Sequence, residues 1–291
     1  MNRPLRIQFP GAIYHVTSRG TRRSVIYLDS RDYYIWQDLL GQTAYRYNFA
    51  VHAFCQMPNH FHLLLTTADA NLALGMRHLN SSYAQAFNYR HKLCGPLLQG
   101  RYHAVLIEHQ SQLLEVARYV VLNPVRAQLV STESKWHWSS HHYMIGRRPS
   151  PRWLQSEWLL AQFGSRTHAA RRAYARFVRQ GYGQSDPLRL ARADLVFGRT
   201  PDQFGTNPHD PGLAGTSMHA RRTLAHTLHE YGRLYPVRNE AMARAYASTA
   251  YSMQDIAAHF GVSYKTVSRA VRQWEQRTAE KCPNVGSDPK V

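Results

Sequence analysis

His60 and His62 stand two residues apart around Phe61, in the stretch Met57-Pro58-Asn59-His60-Phe61-His62-Leu63-Leu64-Leu65. On a β-strand successive side chains alternate faces, so the two imidazoles share one face and Phe61 points into the core. Imidazoles placed in that way can converge on a metal ion, but two ligands do not complete a site. Two unrelated strand histidines, one solvated and one hydrogen-bonded, satisfy the same spacing. Tyr119 and Asn123 lie four residues apart, just ahead of Pro124, and so project from neighbouring points on one side of a helix. A tyrosine hydroxyl facing a two-histidine site is a nucleophile candidate. Asn123 can supply the missing oxygen ligand or a hydrogen bond that places the tyrosine. The chain has 18 tyrosines, and on spacing alone an ordinary helix tyrosine is the commoner role.

The surrounding pattern must bring these residues together. Residues 13–18, Ile-Tyr-His-Val-Thr-Ser, alternate and follow a Pro-Gly pair, which reads as a first strand. Asp29-Ser30 can cap a helix from about 31 to 47, with Tyr34, Leu39 and Leu40 among its apolar positions. Strands follow at 49–56 and 57–65, the latter with Pro58 near its start or edge. A helix starting at Asn71 stops near Cys94-Gly95-Pro96, and a fourth strand spans 102–108. The order strand–helix–strand–strand–helix–strand predicts an α+β fold, a ferredoxin-like antiparallel sheet with helices on one face. Ser111 is a plausible cap for the helix carrying Tyr119. Proline disfavours helical geometry in the residue before it, so that helix is expected to end at Asn123-Pro124.

Charge indicates the partner class. Lys and Arg total 36 against 18 acidic residues, a net charge of +18. Residues 1–150 carry 16 basic and 7 acidic residues, the remainder 20 and 11, so each part contributes +9. The excess is spread over the whole chain and points to a polyanion, of which nucleic acid is the commonest. No apolar run approaches a spanning helix and no signal-peptide core opens the chain, which argues against membrane association. Cys55, Cys94 and Cys282 are odd in number and widely spaced, which fits a reducing compartment. Arg19, Arg22, Arg23, Arg101, Arg118 and Arg126 are candidates to grip a nucleic-acid backbone, with Arg118 and Arg126 bracketing the tyrosine helix. Tyr14 and Tyr102 are candidates to stack on unpaired bases.

The C-terminal part carries its own motif. Residues 252–271 resemble a helix-turn-helix: Ile256, Ala257 and Phe260 pack the first helix, and Gly261 allows the turn. Val262 plugs the angle, and Ser263 caps a second helix whose inward residues are Val267 and Val271. Tyr264, Lys265, Ser268, Arg269 and Arg272 then face a DNA major groove or its backbone. Between the motifs, a Gly-Arg-Arg-Pro-Ser-Pro break at 146–151 and a Gly-, Pro-, Asp- and Asn-rich stretch at 198–215 divide the chain. The expected domains are 1–145, a helical connector and linker at 146–215, a helical DNA-binding region at 216–281 with its motif at 252–275, and a tail at 282–291. Connector helices are expected near 156–163 and 168–179, the second bearing Arg171, Arg172, Arg176 and Arg179. Helices are also expected at about 218–231 and 238–247.

The N-terminal part resembles the single-tyrosine transposase superfamily, and within it the REP-associated tyrosine transposases. The resemblance is carried by Phe9-Pro10-Gly11-Ala12-Ile13-Tyr14-His15-Val16-Thr17-Ser18-Arg19-Gly20, by Met57 to Leu64, by Gln99-Gly100-Arg101-Tyr102, and by Tyr119-Val120-Val121-Leu122-Asn123-Pro124-Val125-Arg126. It covers about residues 1–143 and implies a histidine–hydrophobe–histidine (HUH) nuclease fold. It further implies Tyr119 as nucleophile, His60 and His62 as ligands of a divalent metal, Mg2+ or Mn2+, and Asn123 as a third ligand. The implied activity is cleavage and rejoining of single-stranded or hairpin DNA at palindromic repeats through a 5′-phosphotyrosine. The expected setting is bacterial, cytoplasmic and nucleoid-associated, with the oligomeric state open. Competing readings are a rolling-circle initiator or relaxase, and a non-catalytic regulator that binds DNA through the helix-turn-helix.

Overall fold

The computed structural model of the chain describes residues 8–107, 112–188, 196–197, 226–248 and 251–280. They form two compact units, one of 11–68 with 72–207, the other of 1–10, 69–71 and 208–291.

The first unit is built on β1 (Ala12–Arg19), α1 (Ser30–Tyr47), β2 (Phe49–Met57), β3 (His60–Thr67), α2 (Leu72–His91) and β4 (His103–Ile107). All three strand pairs, β2 with β3, β3 with β1 and β1 with β4, are antiparallel. The order β2-β3-β1-β4 is the ferredoxin-like one that the element order predicts, and a short β5 (Val196–Phe197) adds a parallel fifth strand beside β4. Met57 ends β2 and Pro58-Asn59 form the turn into β3, so Pro58 sits in the hairpin and not in a strand. Glu108, expected in the fourth strand, lies outside the described residues.

Register decides which residues share a face. Thr17 pairs with His62, Arg19 with His60 and His15 with Leu64, placing His15, His60 and His62 together. Tyr14, Val16, Phe61, Leu63 and Leu65 face the opposite way and are buried. There Phe61 packs on Trp36 of α1 with ring centroids 4.7 Å apart, and the Asn80 amide of α2 donates to Ser18. Asp29 caps α1 by accepting from the Arg31 and Asp32 amides. The buried face of α1 is Tyr33, Trp36, Gln37 and Leu40; Tyr34 is exposed and Leu39 only half-buried.

The histidine face is covered by α3 (Leu113–Arg126), which packs on β2 and β3. The sheet therefore has helices on both faces, not one. Helix α3 also continues past Asn123, with Pro124 inside it. A proline there removes the N–H that would meet the Val120 carbonyl. Asn123 Nδ2 compensates by donating to the Val120 and Tyr119 carbonyls at 3.3 and 2.9 Å. The predicted cap, Ser111, lies outside the described residues.

After α3 come α4 (His141–Met144), α5 (Ser156–Ala161) and α6 (Thr167–Arg179). The break at 146–151 does not separate compact units. Residues on either side of it are tied to β2: the Gln56 amide donates to the Trp138 carbonyl and the Gln155 amide to the Val51 carbonyl, each at 2.8 Å. These segments cover what would otherwise be an open sheet edge. The stretch 198–215 and the tail 282–291 lie outside the described residues.

The second unit contains α7 (Leu228–Leu234), α8 (Arg238–Ala247), α9 (Met253–Phe260) and α10 (Tyr264–Glu280). Of the helix expected at 218–231, residues 218–225 lie outside the described residues. Ser252 and Asp255 form a reciprocal capping box on α9, and Gly261 ends it in the left-handed conformation with φ of +63°. Ser263 Oγ accepts the Thr266 amide at the start of α10. Ile256, Ala257, Val267 and Val271 are buried with Tyr231 and Met242, and Phe260 and Val262 pack against them.

Candidate active site

The site lies between the histidine face of the sheet and α3. His60 and His62 face each other with their Nε2 atoms 3.1 Å apart. Asn59 fixes the first ring. Its Nδ2 donates to the Arg23 carbonyl, and its Oδ1, 2.7 Å from His60 Nδ1, accepts the proton of that nitrogen. His60 therefore presents the Nε2 lone pair toward His62. His62 Nδ1 lies 3.0 Å from Nε2 of His15, a buried ring stacked on it at 5.2 Å. A lone pair facing a second imidazole nitrogen at this distance calls for a proton or a cation between them. A separation of 3.1 Å also suits two ligands bound at about 2.0–2.1 Å to one ion. The donor pair thus fits a divalent metal. Among the described residues, no group of three or more His, Cys, Asp or Glu side chains is arranged to hold one.

Tyr119 closes the site from α3. Its ring stands edge-on to His15 and to His62, with both centroid distances 5.9 Å, and is buried. Its hydroxyl donates to Asp186 Oδ2 at 3.3 Å, and the Arg126 guanidinium lies over its ring at 5.3 Å. Asn123, one turn on, directs its Nδ2 into its own helix; no described contact joins it to His60 or His62.

The candidate DNA-contacting residues divide into groups. Arg19, paired in register with His60, and Arg22, Arg23 and Arg101 are all exposed. Their loops interlock at the His60 end of the sheet: the Gly20 amide meets the Asn59 carbonyl, the Thr21 amide the Leu97 carbonyl, and the Gln99 amide the Arg19 carbonyl. Arg22 and Arg23 both take left-handed backbone, with φ of 54° and 63°. Arg118 is different. It is buried, bonded to Glu115 and to Gln184 Oε1, with its guanidinium over Phe177 at 4.5 Å. Arg126 is exposed but donates to the Gln184 carbonyl. Tyr14 and Tyr102 are buried, so neither offers a face to a base. In the second unit Tyr264, Lys265, Arg269 and Arg272 are exposed and Ser268 half-buried, all on α10.

Sequence reasoning missed three residues here. His15 and Asn59 lie within the motifs, yet nothing local gives their contacts to the histidine pair. Asp186 lies 67 residues beyond Tyr119 and carries no local signal at all.

Fold and site define an α+β domain that presents two strand histidines to a helix tyrosine. Residues 9–123 match the family described as Transposase IS200 like, and residues 240–277 match the Helix-turn-helix domain family. The chain is thus similar to the IS200-like transposases over its N-terminal segment and to helix-turn-helix domains near its C-terminus. A solved structure of a REP-associated tyrosine transposase bound to a REP hairpin aligns at 21% identity over 52% of this chain and 89% of that one, with a TM-score of 0.45. Comparison with curated proteins gave no match.

Proposed function

We propose that the chain is a metal-dependent single-stranded DNA endonuclease and strand-transferase, acting on hairpin or palindromic repeat DNA through a 5′-phosphotyrosine at Tyr119. The observation that carries this reading is the Tyr119 ring set edge-on to His62, whose Nε2 faces that of His60 at 3.1 Å. A phosphodiester resists attack because its anionic oxygens repel nucleophiles and the leaving alkoxide is strongly basic. His60 and His62 would hold Mg2+ or Mn2+, and such an ion would supply charge neutralisation at the phosphate. Asn123 is the third donor in this reading, through Oδ1, since its helix bonds use Nδ2. Tyr119 attacks phosphorus and releases a 3′-hydroxyl; the phosphotyrosine keeps the bond energy, so another 3′-hydroxyl can reverse the step and rejoin DNA.

Arg19, Arg22, Arg23 and Arg101 hold the backbone of the single strand at the His60 end. Lys265, Arg269 and Arg272 of α10, with Tyr264 and Ser268, contact duplex DNA. Among the described residues no helix is long and apolar enough to cross a membrane; the proposed activity on DNA assigns the protein to the cytoplasm, at the nucleoid. The test uses a pool of single-stranded stem-loop oligonucleotides with randomised unpaired flanks. Wild type with Mg2+ cuts and covalently retains DNA. Tyr119→Phe and wild type in chelator do neither. Undiminished cutting by Tyr119→Phe would rule the reading out.

A further inference from the structure

Beyond α6 the chain turns back across α3, and residues 180–188 converge on the tyrosine. Gly181 lies so close to α3 that a Cβ there would come within 2.7 Å of Leu122 and 2.8 Å of Arg118. The Tyr182 hydroxyl donates to Glu133, a fully buried carboxylate. Gln184 takes two arginines of α3, Arg118 at its Oε1 (2.6 Å) and Arg126 at its carbonyl (2.7 Å). Asp186 follows. Its Oδ1 accepts the Leu188 amide at 2.9 Å, which sets the carboxylate plane, and its Oδ2 accepts the Tyr119 hydroxyl at 3.3 Å. Residues 180–188 lie outside the segment 9–123 that matches the transposase family.

We propose that Asp186 is the proton acceptor for Tyr119, a catalytic residue supplied by the connector and not by the transposase domain itself. The inference rests on the reading of Tyr119 as nucleophile. A phenol in water has a pKa of about 10, so at neutral pH the hydroxyl is protonated and a poor nucleophile. As the Tyr119 Oη–P bond forms and the P–O3′ bond breaks, the phenolic proton passes to Asp186 Oδ2. The departing 3′-oxygen takes a proton from water, and the hydroxide left behind removes the one on Asp186. In the rejoining direction the steps run backwards: Asp186 regains a proton from water, the hydroxide so formed takes the proton of the incoming 3′-hydroxyl, and Asp186 hands its own to the leaving phenolate. A carboxylate that takes a hydroxyl proton during phosphoryl transfer has precedent in kinases. The hydrogen bond is slightly long, as such bonds often are before substrate tightens them. The two arginine contacts and the Glu133 anchor hold the strap so that the carboxylate stays beside the nucleophile.

The test measures single-turnover formation of the covalent DNA adduct by the full chain, with Mg2+ and the stem-loop pool. Asp186→Asn keeps a hydrogen-bond acceptor but cannot take the proton. It is expected to slow adduct formation by about 100-fold or more, with oligonucleotide affinity and circular dichroism unchanged. Asp186→Ala is expected to be equally slow and to recover in added formate, but not in chloride of equal ionic strength. Asp186→Asn reacting at or above the wild-type rate would overturn the proposal and make the strap a cover over the tyrosine. Slow Asp186→Ala with no response to formate also counts against it. Tyr119→Phe separates the two levels: if it forms adduct, the nucleophile assignment fails, and if it is silent while Asp186→Asn runs at full rate, only Asp186 fails.

Discussion

Asn59 holds the His60 ring by Nδ1 while its own amide is tied to the Arg23 carbonyl, so one short side chain sets the direction in which His60 presents Nε2. Partners of this kind fix tautomer and ring orientation in metal sites. Asn59→Ala is therefore expected to weaken Mn2+ binding about 10- to 100-fold, read by titration calorimetry, with little change in fold. Unchanged affinity would mean that the ring is held by packing alone. The pair His60 and His62 was legible in the sequence because strand alternation is a local rule, and Phe61 between them is indeed fully buried. His15 was not. Its bond to His62 runs diagonally between β1 and β3, and only the register of that pairing reveals it. Asp186 was out of reach for the same reason at greater distance, since no periodicity links residues 119 and 186.

The proline at 124 predicts a stop, but helix α3 runs to Arg126 because Asn123 satisfies the carbonyl that the proline strands. Asn123→Ala is expected to cost about 1–3 kcal/mol in urea unfolding through that unpaired carbonyl. Loss of Mn2+ affinity beyond what the lost stability explains would support Asn123 as a ligand as well, and intact affinity would leave it a helix residue alone. Helix α1 falls where the sequence places it and Leu40 is buried as expected, but Tyr34 is exposed and Leu39 half-buried. Tyr33 is inside because its ring stacks on Tyr27 and Trp138, each at 4.2 Å, and Trp138 lies more than a hundred residues away. The helix-turn-helix was more legible, since caps, turn glycine and inward valines are all local signals. On α10, Arg269→Ala is expected to weaken duplex binding and to lower the salt slope of log K by about 1 if it meets a phosphate. A relaxed preference at a single base pair, with the slope retained, would instead make Arg269 a base-reading residue.

At the scale of the whole molecule, buried histidines make stability depend on pH. Burial pushes the His52 pKa down to about 4, with its Nε2 on Thr66 Oγ1 at 2.8 Å. His141 is also lowered to about 4, mainly by burial and against the pull of Glu133. Both are neutral in the fold, whereas the unfolded chain takes up protons near the ordinary value of 6.5. Stability is therefore present in full above about pH 6.5 and falls as pH drops toward 4. The thermal midpoint is expected to decline by several degrees over that window, and His52→Gln to flatten the decline; a midpoint constant from pH 7 to pH 4.5 would contradict it. The basic excess of both parts of the chain was the feature most readily read from composition, while the division into compact units was not, because the segments flanking the 146–151 break bond to β2. Cleavage after Arg118 and Arg126 with trypsin would release Tyr119-Val-Val-Leu-Asn-Pro-Val-Arg as a single peptide. Mass spectrometry of the trapped adduct should find the 5′-phosphate of DNA on that peptide, at Tyr119, and only when divalent metal is present. DNA attached to any other tyrosine, or to the same peptide in chelator, would contradict the account.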